Sequence, residues 1–599
     1  MFGKKAAAQS PAVEEQYNPL YSGSDQAVHE NPLYDPTPEP EPAPKAKTPM
    51  QNLADALRYS VKGGITSVFS MTPGENSQTF QSIVDTLDDI NHDLEQHLTG
   101  DVQSDAEKVA ALSQKYSRLI QTCEVYMDRR LVLTTAGKER QQLVRQVYDL
   151  AHRDKAGLDG AADNVFSVPS EERRSMSVKD LIAESRMLRF SVGDINANVG
   201  GASASTVHPL QYNGGEYFFK KEENVLVYDN RDAPYFEKAF QEAFDNLPND
   251  PDHERLRQNL LKIKIALPNM GSPGATREEE IKRVKQAFEL AAVPLPSDDE
   301  VQQLAPIVKR ICKTALGNAT TAYNLGLIGV KQRPGGPSEV NVSKRNVATS
   351  RMADLLGVGH LIARSETAEV TDEATGKTYR GNLMAKAEGV ENTEVDEVAK
   401  EHRSAEITSG GFQRAMICIQ MLDNICAQID RHDKNRLYQL KDGVITGIQG
   451  IDNDLAFGES GLLDSVISHA KAAFAQTDTG IEMAIPYMDK EMAQNIIELA
   501  KHPVTVRYVM TDLLRPVEID ALIDRLTTAA NALQAAMQAD HGKRFEEGGR
   551  FLAPDDWSAH KDEIHANLME KGKKQVTYYS DYMQYLDSIY GNAQKAKAS

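Results

Sequence analysis

Residues 422–458 read LDNICAQIDRHDKNRLYQLKDGVITGIQGIDNDLAFG, and the fold turns on how this stretch is read. It holds two acidic centres. The first, Asp430-Arg431-His432-Asp433-Lys434-Asn435, directly follows an apolar helical run. The second, Asp452-Asn453-Asp454, directly follows the strand-like residues 445–451, and the segment between the centres reads as a β-hairpin. An Asp-Arg-His triplet alone is more often a solvated helix end. Both centres in order, with an apolar helix before and a hairpin between, match what phosphoryl transfer to a hydroxyl needs. One Asp meets the acceptor hydroxyl, an Asn five residues on holds a metal, and an Asp beyond the next hairpin holds metal against the phosphates of ATP.

The pair DRHDKN and GIDNDLAFG resembles the catalytic and metal-binding loops of the atypical kinases that include the type II phosphatidylinositol 4-kinases, within the wider phosphatidylinositol 3- and 4-kinase-like group. Less closely, it is similar to the secretory-pathway casein-kinase-like enzymes. The resemblance implies Asp430 as the catalytic aspartate, Asn435 as a metal ligand and Asp452 as the main metal ligand, with ATP and Mg²⁺ as cofactors. Asp454 departs from the pattern, standing where the lipid kinases usually have Gly and adding a negative charge beside the metal.

Working upstream, residues 198–206 (NVGGASAST) form a small-residue run, followed by the apolar strand Tyr217-Phe218-Phe219 and then Lys220-Lys221. Backbone N–H groups of such a loop, at Gly200, Gly201, Ser203 and Ser205, approach phosphate oxygens without side-chain clash. A Lys at the end of the next strand then reaches the phosphates. Period-2 alternation puts Lys220 and Lys221 on opposite faces. Resemblance to the V-F-K strand of the type II lipid kinases selects Lys220. Residues 342–356 read as an amphipathic helix, with Val347, Ser350, Met352 and Leu355 on roughly one side, closed by Gly357-Val358-Gly359. It is similar to a lipid-kinase helix whose Glu pairs with the phosphate-gripping Lys, but Asn346 stands at that position. Residues 361–370 and 377–384 then read as a hairpin over Asp372-Glu373-Ala374-Thr375-Gly376. Residues 383–389, Met384 and Ala385 among them, are expected to link two lobes and to meet the adenine edge with backbone groups. Residues 410–429 are the helix that delivers Asp430.

These motifs predict an α+β chain: a bilobal protein-kinase-like domain over 191–535, with a small antiparallel-sheet N-lobe and a helical C-lobe. A helical insertion occupies about 230–330, between the strand with Lys220 and the breaker Arg333-Pro334-Gly335-Gly336-Pro337. An all-α region over 51–190, with Phe80, Ile83, Leu87, Leu119 and Cys123 at helical spacing, precedes it. A helical extension, 536–599, follows and carries Tyr578, Tyr579, Tyr582 and Tyr585 on what reads as a packed helix. Residues 1–50 are rich in Pro, Glu, Ala and Ser, a composition too polar to offset ordering entropy, and are expected to be disordered. They carry a repeated Asn-Pro-Leu-Tyr, ending at Tyr21 and Tyr34, that presents each ring beyond a turn. Acidic-flanked Asn-Pro-Leu-Tyr resembles the tyrosine-phosphorylation motifs of bacterial proteins injected into host cells and N-P-x-Y docking peptides. That resemblance implies a tyrosine kinase or phosphotyrosine-binding domain as a partner.

A formal net charge of −20 in 599 residues argues against nucleic acid as a partner and, more weakly, against broad docking on anionic membrane. The four cysteines, Cys123, Cys312, Cys418 and Cys426, lack metal-site spacing and read as buried thiols. No apolar run of transmembrane length and no secretory signal is legible, so the expected setting is cytoplasm or, for a secreted effector, the host cell. The function expected is an ATP- and Mg²⁺-dependent protein kinase. A phosphoinositide kinase shares the ATP half but calls for a basic membrane-facing surface. A pseudokinase scaffold acting through its tyrosine-bearing strip is the third reading, favoured by Asn346 and opposed by the intact Asp430, Asn435 and Asp452.

Overall fold

The structure, a computed structural model, describes residues 73–97, 102, 105–128, 135–159, 176–195, 207–212, 214–222, 224–228, 233–270, 276–332, 336–461, 471–478 and 480–598. Tyr21 and Tyr34 lie outside the described residues, as do Gly200, Gly201, Ser203 and Ser205. It is a mixed α/β architecture in which helices predominate. Among the described residues, no helix is long and apolar enough to cross a membrane.

Three long helices come first: α1 (Pro73–His92), α2 (Ala106–Asp128) and α3 (Thr135–Leu158), followed by the short α4 (Val178–Ser185). Their apolar stripes do not close on one another alone. Leu87, Tyr116 and Val147 belong to the same hydrophobic core as Met352, Ile419 and Val509, far along the chain. Arg186, just past α4, is fully buried and seals this junction. It donates to both oxygens of Asp154 on α3 at 2.7 Å and to Asp512 Oδ1 at 2.8 Å.

The strands follow as β1 (Leu188–Val192), β2 (Val207–Tyr212), β3 (Gly215–Lys221), the ribbon of β4 (Asn224–Val227) and β5 (Ser338–Asn341), then β6 (Ser365–Asp372) and β7 (Lys377–Ala385). Five of them form one sheet in the order β1-β6-β7-β3-β2; β1 lies parallel to β6 and the remaining pairs are antiparallel. The turn between β6 and β7 is built by Asp372, whose carboxylate accepts from Ala374 N and Thr375 Oγ1, and by Gly376 at φ +68°. At Gly381 on β7 an added Cβ would lie 2.2 Å from the Lys220 carbonyl oxygen. Glycine is what lets β3 approach β7 closely enough to carry Lys220 into place.

Between β4 and β5 the chain forms α5 (Ala233–Asp245), α6 (Pro251–Ile263), α7 (Arg277–Leu290) and α8 (Asp298–Leu327). Capping boxes Thr276/Glu279 and Ser297/Glu300 start the last two. These helices have their own core, built from residues such as Phe240, Leu260, Phe288 and Ile311, and it extends to Ile429 and Leu455. Helix α9 (Val342–Leu355) then packs on β6 and β7. Its sequence predicts one apolar side, yet twelve of its residues are buried round the whole circumference. Neighbours on every side supply partners for its polar groups: Arg345 donates to Glu518 and the Ala456 carbonyl, Arg351 to Asp512 and the Val509 carbonyl, and Ser350 Oγ accepts from Ser365 N.

The remaining helices are α10 (Asn392–Ala399), α11 (Gly410–Cys426), α12 (Lys490–Ala500), α13 (Pro503–Met510), α14 (Pro516–Asp540), α15 (Pro554–Ala559), α16 (Lys561–Lys571) and α17 (Tyr578–Ala598). The hairpin of β8 (Arg436–Lys441) and β9 (Val444–Gly450) leaves α11. The tyrosines of α17 are packed, as their spacing predicts: Tyr578, Tyr579 and Tyr582 are buried, and Tyr582 stacks on Tyr438 at 4.6 Å. All four cysteines are buried free thiols.

Candidate active site

Helix α11 fixes where the first acidic centre begins. Ser409 caps its start, accepting from Phe412 N, and Ala427 ends it in the left-handed conformation at φ +53°. Ile429 N then donates to the Leu455 carbonyl, so the chain leaving the helix lies against the second centre before Asp430 is reached. Gln428 fastens the two together: its Oε1 accepts from Asp430 N at 3.1 Å and its Nε2 donates to the Asp452 carbonyl at 3.2 Å.

Arg431 is the main clamp. Its guanidinium is fully buried and donates to both oxygens of Asp423 on α11 at 3.0 Å each. It also donates to the Ile451 carbonyl at 2.9 Å, the Asn435 carbonyl at 3.2 Å and the Asn453 side chain. One side chain thereby ties the first loop, the second loop and the helix that precedes them. Tyr578 on α17 completes the set, donating from its hydroxyl to Asp423 Oδ2 at 3.1 Å.

Asn435, buried at the foot of β8, donates from Nδ2 to the Asp430 carbonyl at 2.7 Å. The β8–β9 hairpin turns at Asp442-Gly443, both at positive φ (52° and 76°), the conformation of a two-residue turn matched to strand twist. The return strand brings Asp452 back beside Asp430. Asp452 itself has φ +54°, a conformation uncommon for a residue with a side chain, and costs on the order of 1 kcal/mol. Its neighbours hold it there: Asn453 N donates to Asn346 Oδ1 of α9 at 2.6 Å, and Ile451 N to the Asn435 carbonyl at 3.1 Å.

Lys220 reaches these loops across 232 residues of sequence. From β3 its ammonium contacts Asp452 Oδ1 at 3.1 Å and Asp454 Oδ2 at 2.8 Å. Lys221 points the other way and lies over the Tyr379 ring, 3.8 Å from its centroid. The pairing partner missing from α9 is therefore supplied by the loops, and Asp454, a departure when read as sequence, is half of it. Asn346 serves the second loop's backbone instead of the lysine.

The cluster carries surplus negative charge. Burial and the carboxylates of Asp454 and Asp452 push Asp430 up to about 7. Burial also presses upward on Asp452, but the Lys220 ammonium outweighs it and holds that carboxyl below its ordinary range. Lys220 is raised in turn: burial disfavours its charge, and the two carboxylates more than compensate. His432 Nε2 stands 3.9 Å from Asp430 Oδ2.

Among the described residues, no three His, Cys, Asp or Glu side chains are gathered as a self-contained metal cage. The oxygen donors of Asp452, Asp454 and Asn435 suit a small hard cation of the Mg²⁺ kind. Such an ion is ordinarily held by one or two carboxylates together with substrate phosphates, not by an all-protein cage. The residues thus fit a metal that arrives with a nucleotide.

Of the remaining candidates, Met384 and Ala385 end β7 opposite Phe218 and Tyr217. The Ala385 N–H is already donated to the Arg364 carbonyl at 2.8 Å and is not offered to a ligand. Sequence reasoning missed Gln428, Asp423 and the reach of Arg431. Asp423 did leave a signal, being the one carboxylate in the apolar run 415–426 that precedes the loop. No protein-family model matches this chain, and no curated protein matches it.

Proposed function

We propose that the chain is an ATP- and Mg²⁺-dependent phosphotransferase that phosphorylates a hydroxyl of a protein substrate, on a bilobal kinase-like scaffold. The observation that carries this reading is the convergence of Lys220, Asp452 and Asp454 beside Asp430 and Asn435, from strands and loops more than 200 residues apart. A structural salt bridge needs one acid and one base. This cluster sets three carboxylates around one ammonium at a partly exposed surface, an arrangement suited to stabilising phosphate and cation charge.

In that reading Lys220 turns its ammonium to the nucleotide phosphates, while Asp452 and Asn435 hold the cation. When bound, Mg²⁺ neutralises charge on the transferring phosphoryl oxygens. Asp430 accepts a hydrogen bond from the acceptor hydroxyl and orients its oxygen for attack. Arg431, through Asp423 and the Ile451 carbonyl, keeps the two loops at a fixed separation, so the acceptor and the phosphates meet in one geometry.

The test is Mg²⁺-ATP binding and turnover by the full chain. Mg²⁺-ATP at millimolar concentration raises the melting temperature of the wild type, by about 2.7 kcal/mol of stabilisation at a hundredfold excess over Kd. ATP consumption offered mixed protein acceptors in one tube and phosphoinositide liposomes in another separates protein from lipid transfer. Absence of any melting shift would overturn the phosphotransferase reading, and consumption with liposomes alone would move the acceptor to lipid.

A further inference from the structure

A second polar cavity lies on the far side of α9, between that helix, α3 and the start of β6, with a volume of about 340 Å³. Its wall carries four guanidinium groups, Arg145, Arg153, Arg351 and Arg364, against three carboxylates, Asp149, Asp354 and Glu366. Glu366 is already flanked, by Arg153 at 3.6 Å and Arg364 at 3.5 Å. Two buried polar atoms in the wall have no protein partner: Arg351 Nη2 and Gln146 Oε1.

Arg351 is the informative one. The residue is 6% exposed, and its Nη1 is fully used, donating at 2.8 Å to both Asp512 Oδ1 and the Val509 carbonyl. Nη2, on the same buried cation, has nothing to donate to. An unmade hydrogen bond from a buried charged group costs more than one from a neutral group, and native structures rarely keep one without a use. Gln146 is oriented beside it by donating from Nε2 to the Arg351 carbonyl at 3.2 Å, which leaves its Oε1 as an acceptor. The cavity therefore asks for a ligand that brings both acceptor oxygens and a hydroxyl donor.

We propose that this cavity binds a small hydroxylated phosphate monoester, its phosphate oxygens accepting from Arg351 Nη2 and the rim guanidiniums of Arg145 and Arg364, and its hydroxyl donating to Gln146 Oε1. Guanidinium forks match phosphate oxygens in geometry as well as charge, and several around one cavity favour phosphate over a single carboxylate. Burial raises the Asp354 carboxyl from its ordinary range, which lessens the opposing charge in the wall. Helix α9 carries Arg351 into this cavity and Asn346 onto the Asp452 loop, so a ligand here grips the helix that also positions the candidate active site.

The site is tested by direct binding to the full chain, independently of any turnover. Calorimetric titration with glycerol 3-phosphate should give one site in the wild type. Lys220→Met should bind it equally well, because that lysine belongs to the other cleft. Arg145→Ala/Arg364→Ala removes two rim groups that hold no buried partner, the Arg364 side chain being 67% exposed, and should weaken binding about tenfold. Arg351→Lys keeps a charge beside Asp512 and deletes the unpaired N–H; it should weaken binding at least as much. Vesicles containing phosphatidic acid run as a parallel arm: competition by them assigns the phosphate to a lipid headgroup, and lack of competition assigns it to a soluble metabolite. Unchanged affinity in the double variant, loss of binding in Lys220→Met, or no binding of glycerol 3-phosphate would each overturn the proposal.

Discussion

Two ionic clusters join distant parts of this chain, and they obey the same electrostatics to opposite ends. In the buried knot, Arg186 and Arg351 face Asp154 and Asp512, two charges of each sign. Tyr508 adds a hydroxyl that donates to Asp154 Oδ2 at 2.7 Å. Burial presses the Asp512 carboxyl upward, but Arg351 and Arg186 overcome it and hold Asp512 well below the usual carboxylate range. In the cleft, Asp430, Asp452 and Asp454 face Lys220, and the excess of like charge leaves Asp430 raised to about 7. A balanced, fully bonded cluster closes a core. An unbalanced one at a partly open surface remains available to a cation and to phosphates.

Breaking the knot should cost stability and spare chemistry. Arg186→Met strands two buried carboxylates and should destabilise the fold by about 3–5 kcal/mol, read as a lowered denaturation midpoint. Turnover per folded molecule should stay near the wild-type value. A loss of activity without loss of stability would show that the knot also shapes the cleft.

Breaking the cleft should do the reverse. Asp452→Asn tolerates the positive φ of that position and keeps the backbone contacts to Asn346 and Gln428, since both go to main-chain atoms. ATP turnover should fall roughly 10²–10³-fold, with the melting temperature of the nucleotide-free protein little changed. The Mg²⁺-ATP melting shift should vanish with it. Retained turnover would remove Asp452 from the machinery.

Acid sharpens the contrast. A carboxyl depressed in the folded state contributes stability above its unfolded value, about 3.9, and loses that contribution as the pH falls through its folded value. Asp512 is such a group. The gap in melting temperature between wild type and Asp512→Asn should therefore be constant near neutrality and narrow as the pH drops below about 4. A gap independent of pH down to 2 would mean that Asp512 is not held as a carboxylate.

The smallest effect tests the register of β3. Lys220→Met removes the ammonium from Asp452 and Asp454, and should cost turnover about as much as losing Asp452. Lys221→Met gives up a contact with the Tyr379 ring worth about 0.5–1 kcal/mol and should change turnover by less than about threefold. The two variants in one ATP assay decide it, and a dead Lys221→Met would shift the phosphate-gripping role by one residue.

Much of the candidate site is legible in the amino-acid sequence alone, because its parts are local patterns. The apolar run into Asp430, the hairpin between the acidic centres and the alternation that separates Lys220 from Lys221 each follow from repeat distances of helix and strand within a few residues. The hairpin over residues 372–376 is legible for the same reason. What no local pattern contains is the relative placement of elements. The pairing of Lys220 with Asp454 depends on where β3 stands above a loop 234 residues later, so Asp454 reads as an anomaly in the sequence. Helix α9 reads as amphipathic because a helix period reports apolar stripes, whereas its polar residues are buried by partners from four other segments. The helices over 73–158 likewise read as a unit of their own, yet their stripes are one wall of a core completed by residues such as Val509. Periodicity records which face of an element seeks cover; only the assembled chain decides what covers it.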